Sequence, residues 1–523
     1  MSNAQDWQDT LHDLRRRRQH AQAMGGQEKL AKHHATGKLD ARARIDHLLD
    51  ADSFQEFGTL VGGEIAADGI VAGAGRVGGT PVMVGAEDFT TLAGTIGAGG
   101  NAKRYRLAEL ALRNKIPLIM LLEGAGFRPR GEHAGRSPTD LIAQARCSGK
   151  VPTVAAVLGP SAGHGALVAP VCDFTIMSSQ GSIFTAGPPV VKEATGEDVS
   201  KEDLGGPEVS LRSGVIHNHA DTDEAVLDDI RRYLSYFPSS AWSYPPARLH
   251  DDAAAVRPTP ELLDIVSRDN RRSYDMRRVI DAVFDDADWL EIQPTFGPAI
   301  ICALAHLGGH PVAVVANQPT RLAGSIDSDA ADKAAHFITV ADSFHLPIVF
   351  LADNPGMLPG SQSERNGVLR SGARMFVAQT TATTLKLHLT LRKAFGFGSM
   401  VMSLVGFDNP GGHLRLPRRH HGRDERGCAQ PRVTRRRRHR RDPRTDGTGG
   451  VLPDGRDPRV RRVDRTGGDP QRAAAGPATR DLQPSAGRRT GGAHRHHTVA
   501  RYAVTTGSNS SGVAPCMITA SAP

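Results

Sequence analysis

Cysteine is scarce in this 523-residue chain: Cys147, Cys172, Cys302, Cys428 and Cys516 lie far apart and form no CxxC pair. A zinc site of the ribbon type needs paired thiolates at short spacing, and a secreted disulfide framework needs a denser set. Both are excluded, no metal is expected, and a reducing cytoplasmic setting fits. Long apolar runs are missing too. No segment reaches the roughly 18 uninterrupted apolar residues of a membrane helix. The opening MSNAQDWQDTLHDLRRRR has no apolar stretch after its basic run, so neither secretion nor a membrane partner is expected. No biotin-attachment segment and no ATP-binding loop can be found.

The formal net charge of +8 suggests a nucleic-acid partner only until it is mapped. Residues 410–523 hold 24 Arg, no Lys and 9 acidic residues, which leaves 40 basic against 47 acidic residues, about −7, in residues 1–409. A mildly acidic body carries a basic tail, and nucleic acid is not the expected partner of the body.

Length allows roughly two to four domains, and an internal repeat narrows this. At an offset of 230, GTPVMV (79–84) answers GHPVAV (309–314), LAGTI (92–96) answers LAGSI (322–326), and IPLIMLLEGAG (116–126) answers LPIVFLADNPG (346–356). Further on, AGHGA (162–166) answers AFGFGS (394–399) at an offset of 233. So long a period points to a duplicated domain. Runs such as PLIMLLE and PIVFLAD, apolar on both faces, read as buried parallel strands, and the amphipathic stretches between them read as helices. The expected architecture is α/β, with one copy over 1–240, a linker over 241–260 rich in Pro, Ser and Ala, a second copy over 261–409, and a tail over 410–523 without a predicted fold.

Candidate site residues collect where strands end in glycine, since ligands of α/β sheets gather at the carboxyl ends of strands. Gly124, Ala125, Gly126 and Gly165 in the first copy, and Gly356 in the second, are candidate substrate contacts. A helix beginning near Gly165 would turn the N–H groups of Gly163 and His164 toward an oxyanion, and Phe397 and Gly398 are the candidates in the second copy. Glycine relieving crowding between strand and helix is the plainer reading of any one of them. His164 invites a role as a base, yet no Ser, Cys or carboxylate stands near it in a triad pattern. Glu123 and Asp353, at matched strand ends, are candidate acids or local pairing groups. Arg128, Arg130, Lys150 and Lys192 are candidates for phosphates or ordinary surface.

GKLDARARIDHLLDADSFQEFG (37–58), GPSAGHGALVAPVCDF (159–174), TGEDVSKEDLGG (195–206) and DNPGMLPGSQSE (353–364) occur in that order. Over residues 7–409 the chain resembles the carboxyltransferase (β) subunits of propionyl-CoA, methylcrotonyl-CoA and related acyl-CoA carboxylases. That resemblance implies two tandem crotonase-like (ClpP/crotonase) domains and transfer of a carboxyl group from carboxybiotin to the α-carbon of an acyl-CoA. It implies Gly163 and His164 against the thioester enolate, Phe397 and Gly398 against the biotin ureido oxygen, and Met400 at the position that sorts acyl chains. It further implies a biotin carboxylase and biotin carrier (α) subunit as partner and a hexamer of this subunit. A decarboxylase running the transfer in reverse, and an inactive product of a frameshifted gene, stay open. The turns depart from the family's usual GG and GGA, reading Gly-His-Gly and Gly-Phe-Gly.

After Asn409 the text loses all periodicity. Read one base later in GC-rich codons, residues 411 onward become VATFAFPGATMGAMSA, an apolar segment similar to the family's continuation. A frameshift near codon 409 or 410 is therefore expected. Re-sequencing codons 400–420, with mass spectrometry of the natural protein's C-terminal peptides, should find that apolar text. Peptides carrying the Arg-rich text would contradict it.

Overall fold

A computed structural model describes residues 3–128, 139–248 and 258–404, together with the backbone of 413–415, 501–503 and 519–521. Arg130, the middle of the expected linker and most of the tail lie outside the described residues. Two sheets carry the fold. The first contains β1 (Gln55–Glu56), β2 (Ile70–Val77), β3 (Thr80–Glu87), β4 (Leu118–Gly124), β5 (Thr153–Ala162), β6 (Phe174–Ser178), β7 (Ser182–Phe184) and β8 (Asn218–Ala220). Its order is β1-β2-β3-β4-β5-β6-β8, with β7 beside β5. The second contains β9 (Leu290–Ile292), β10 (Ile300–Leu307), β11 (His310–Asn317), β12 (Ile348–Asn354), β13 (Lys386–Ala394) and β14 (His413–Arg415), in the order β14-β13-β12-β11-β10-β9. Each opens with an antiparallel hairpin, β2–β3 or β10–β11, and continues in parallel through crossover helices. This is the α/β architecture expected from the repeat, and it agrees with the tandem crotonase-like domains that the resemblance implies.

The central strands form where the apolar runs lie, because every residue of β4 and β12 is buried. One apolar core runs between the halves, from Phe174, Tyr233 and Phe237 of the first to Phe337, Phe344 and Phe350 of the second. Phe237 and Phe344 meet edge to face, with ring centroids 5.6 Å apart. Asn218 and Gln293 join the sheets by hydrogen bonds, Asn218 Nδ2 donating to the Glu291 carbonyl at 2.8 Å and Gln293 N donating to Asn218 Oδ1 at 3.1 Å.

The duplication extends to side chains that no sequence motif displays. The long helices Ala98–Asn114 and Ser328–Ser343 begin at matched positions, and each needs an acceptor for its first N–H groups. In the second copy Asp327 caps its own helix, accepting from Ala330 N at 2.9 Å. Gly97 stands at the equivalent position and has no side chain, so Asp68 reaches across to accept from Gly100 N at 2.7 Å. The same N–H is satisfied by different means. Each helix also buries a lysine: Lys103 donates to the Ala67 carbonyl at 2.9 Å and Lys333 to that of Gln293 at 3.1 Å. Burial lowers both pKa values, that of Lys103 to about 8.

No strand was legible in the tail's composition, yet its described residues form three short ones. β14 lies parallel to β13, with His413 opposite His388, as β6 lies beside β5 with Phe174 opposite Val154. β15 (Arg501–Ala503) and β16 (Thr519–Ser521) pair antiparallel. Strand pairing satisfies backbone groups and needs no side-chain periodicity, so the open edge of β13 can pair with a segment whose sequence shows no strand pattern.

Arg392 is the clasp of the second half. It holds Asp353 at 2.7 Å and donates to the carbonyls of Asp269 and Arg272 at 2.9 and 2.7 Å. Arg392→Ala strands a buried carboxylate and is expected to cost about 3–5 kcal/mol, seen as a lower denaturation midpoint. Arg374→Ala, which breaks an exposed pair with Asp332, should change it by about 1 kcal/mol or less.

Candidate functional site

The two glycine turns close their strands in the same geometry. After β5, Ala162 is extended (φ −126°, ψ 146°) and Gly163 takes φ +56° to begin the short helix Gly163–Ala166. After β13, Phe395 is extended (φ −119°, ψ 148°) and Gly396 takes φ +54° to begin Gly396–Val401. Positive φ favours glycine at both positions. The N–H groups of the next residues lie in a first helical turn, where no carbonyl of the helix reaches them. His164 matches Phe397, and Gly165 matches Gly398. The proposed donor pairs, Gly163 with His164 and Phe397 with Gly398, are thus out of step by one residue between the copies.

Several candidate glycines have the plainer explanation. A Cβ on Gly124 would stand 2.5 Å from the Gly94 carbonyl oxygen, and one on Gly398 would stand 2.4 Å from Asn354 Oδ1 and 2.7 Å from Gly356 Cα. These residues let turn and strand approach closely. The Ala125 N–H is used by the Ala93 carbonyl at 3.0 Å. Gly126 and Gly356 accept from the matched residues Ile96 and Ile326 at 2.8 and 3.1 Å. Gly165 is different, because a Cβ there meets nothing nearer than 3.5 Å. Met400 is half-buried, with its carbonyl accepting from Gln379 at 3.0 Å.

Glu123 and Asp353 prove to be pairing groups. Glu123 receives Lys38 at 2.8 Å and Arg44 at 2.7 Å, and Arg44 also holds Asp223 at 2.9 Å. Burial alone would raise the Glu123 pKa, but Arg44 and Lys38 outweigh it and keep the group ionised. Arg128 is committed to Asp68 at 2.8 Å and to Thr95, Lys192 pairs with Asp198, and Lys150 is exposed. Among the described residues, the phosphate candidates named from sequence, Arg128, Lys150 and Lys192, line no common cavity given by the structure.

Other cations do. A cavity of about 470 Å³ opens at the carboxyl ends of β4 and β5, lined by Lys29, Lys32, His33, Lys38 and Lys201 and by the apolar Phe89, Leu92 and Ala93. It shares Glu123 and Pro160 with those strands, and Pro160 stands three residues before Gly163 along β5. Its lysines come from the N-terminal helix Gln27–His34, the segment after it and the helix Lys201–Gly205, which is why spacing could not reveal them. Spacing also hid the environment of His164. Its Nε2 lies 2.5 Å from Asp140, which Arg104 holds at 2.5 Å, and Arg104 reaches Glu87. Among the described residues no group of His, Cys, Asp and Glu is arranged to hold a metal, and no helix is long and apolar enough to cross a membrane.

If Gly398 serves close packing and Gly165 does not, Gly398→Ala should cost about 1–3 kcal/mol of stability. Gly165→Ala should stay within about 0.5 kcal/mol. Thermal or denaturant unfolding of the two variants checks this, and equal losses would contradict the assignment.

Residues 32–409 match the carboxyl transferase domain family. The methylmalonyl-CoA carboxyltransferase 12S subunit of Propionibacterium freudenreichii subsp. shermanii is 36% identical over 405 residues, covering 75% of this chain and 77% of that protein. The propionyl-CoA carboxylase β chain of Saccharopolyspora erythraea is 37% identical over 417 residues, 75% of this chain and 76% of that one. A solved transcarboxylase 12S structure, described as a hexamer with hydrolysed methylmalonyl-CoA bound, superposes with a TM-score of 0.73 at 34% identity, covering 78% of this chain and 81% of that one. The chain belongs to the carboxyl transferase domain family, among the carboxyltransferase subunits of biotin-dependent acyl-CoA carboxylases.

Proposed function

We propose that the chain moves a carboxyl group from carboxybiotin, delivered by a partner subunit, to the α-carbon of an acyl-CoA thioester. The observation that carries this reading is the Gly163 turn beside the lysine-lined cavity, repeated as a turn alone in the second half. A CoA thioester has an anionic phosphate end and a carbonyl end. Lys29, Lys32 and Lys201 suit the first, and the N–H groups of Gly163 and His164 suit the second as it becomes an enolate. Phe397 and Gly398 present first-turn N–H groups that fit a ureido oxygen. Preorganised backbone donors of this type contribute about 3–4 kcal/mol each in the transition state. The partner is a biotin carboxylase and biotin carrier subunit, and the assembly a hexamer in which one chain's first half faces another chain's second half. The three free, buried cysteines among the described residues fit a cytoplasmic location.

The same reading bears on the frame. β6 is buried along its length, so the matching place beside β13 calls for apolar residues. The alternative frame supplies Thr, Phe and Ala for codons 413–415, and the written frame supplies His, Leu and Arg. The second half is complete, in this account, only in the alternative frame.

Transfer from methylmalonyl-CoA to free biotin, followed in the frame-restored chain, tests the function. Transfer is expected, and the double variant Lys32→Glu/Lys201→Glu should raise the KM for the thioester about tenfold with kcat nearly unchanged. Absence of both transfer and thioester binding in the frame-restored chain would overturn the reading.

A further inference from the structure

In both copies the residue after the positive-φ glycine is tied to the helix that precedes its strand, but by opposite chemistry. In the second copy that residue is Phe397 and the helix is Val368–Thr381. The Phe397 ring packs on Phe376, with centroids 5.9 Å apart. Gly372, one turn earlier, makes room for it, since a Cβ there would stand 3.1 Å from Phe397 Cε1. Gly398 is hemmed in by Asn354 and Gly356, so close packing alone fixes this turn.

In the first copy the residue is His164 and the helix is Asp140–Ala145. Packing holds this turn less closely, because a Cβ on Gly165 would meet nothing nearer than 3.5 Å. A hydrogen bond does the holding: His164 Nε2 lies 2.5 Å from Asp140 Oδ1. Asp140 is a fixed anchor, accepting also from Asn101 Nδ2 and Gln144 Nε2, each at 3.1 Å, and from Arg104 Nε at 2.5 Å. Arg104 continues to Glu87, whose Oε2 accepts from Glu123 N at 2.8 Å. At the matched positions Asn317 Oδ1 accepts from Asp353 N at 3.2 Å, and Ala334 stands for Arg104. A neutral amide thus meets the need of the strand end, and the buried charge of the first copy is additional to it. Burying Glu87, Arg104 and Asp140 at 2% exposure or less carries a desolvation cost. Burial raises the Asp140 pKa, but the His164 hydrogen bond and Arg104 outweigh it and bring it down to about 2. An ionised carboxylate only accepts, so His164 Nε2 is the donor.

We propose that the His164–Asp140 hydrogen bond is a latch that holds the N–H groups of the first turn on the thioester oxygen, doing by charge what Phe397 does by packing in the second copy. The His164 side chain is a positioning group, and its ring exchanges no proton with the substrate. This rests on the carboxyltransferase reading above. As the enolate forms, the thioester oxygen gains negative charge, and donors already in place stabilise it without reorganising. A turn released from Asp140 loses that advantage as the charge develops. Binding of the ground-state thioester through the lysines of the cavity is left intact.

Transfer from methylmalonyl-CoA to free biotin in the frame-restored chain reads the latch as a split between kcat and KM. His164→Ala should lower kcat about tenfold or more, with the KM for the thioester within about threefold of the parent. His164→Gln, whose amide nitrogen takes the place of Nε2, should recover most of that loss. His164→Asn, whose nitrogen stands nearer the place of Nδ1, should not. Asp140→Asn puts a donor where donors already converge and should lower kcat in the same way as His164→Ala. Melting curves of the variants confirm that they fold. A kcat for His164→Ala within about threefold of the parent, a loss carried by KM alone, or equal losses in His164→Ala and His164→Gln would overturn the latch and leave the carboxyltransferase reading standing. Absence of both transfer and thioester binding in the parent overturns that reading and the latch with it.

Discussion

Charge is buried at the carboxyl ends of the central strands, and the structure around those ends is arranged to keep it paired. Glu123 is the last acidic group of a strand buried throughout, and it is tolerable there because Lys38 and Arg44 reach it from the segment preceding the sheet. That requirement draws the N-terminal helices against the strand ends, and their lysines form the wall of the cavity beside the Gly163 turn. In the second half Asp353 is met from within the sheet by Arg392, whose donors are also spent on carbonyls of residues 269 and 272. A shared problem has two solutions. The first places a basic cavity at the strand ends, and the proposed function uses that cavity for the CoA thioester.

Duplication followed by divergence explains this asymmetry. Backbone features persist in both copies: the glycine at positive φ, the bridges Ile96 to Phe127 and Ile326 to Met357, and the buried lysine of the first crossover helix. Side chains facing the sites have parted, with Glu87 against Asn317, Arg104 against Ala334 and His164 against Phe397. The fold constrains the first set. The second set is free to serve different chemistry in the two halves, as the proposed function requires.

The sheets could be read from sequence because burial on both faces produces uninterrupted apolar runs, and Leu118–Gly124 and Ile348–Asn354 are such runs. The turns could be read because glycine marks positive φ. The acid partner of His164 could not, since Asp140 lies 24 residues earlier and meets it only through the crossover. Lys29 and Lys201 likewise share a cavity across 172 positions. Contacts made by folding leave no spacing to recognise. Gly124 and Gly398 carry a further constraint that the sequence does not display, because a Cβ at either would collide with a neighbouring turn or side chain. β14 shows that an edge can acquire a strand from text with no strand pattern at all.

The most direct test of the central claim, that the first half holds the thioester and the second the carboxyl donor, is a crystal structure of the chain with a non-hydrolysable acyl-CoA thioether ketone bound. The account predicts phosphates against Lys29, Lys32 and Lys201, with the carbonyl oxygen within hydrogen-bonding distance, about 3 Å, of the first-turn N–H groups at Gly163–Gly165. A carbonyl seated instead at the Gly396 turn, or a CoA moiety outside the lysine-lined cavity, would contradict it.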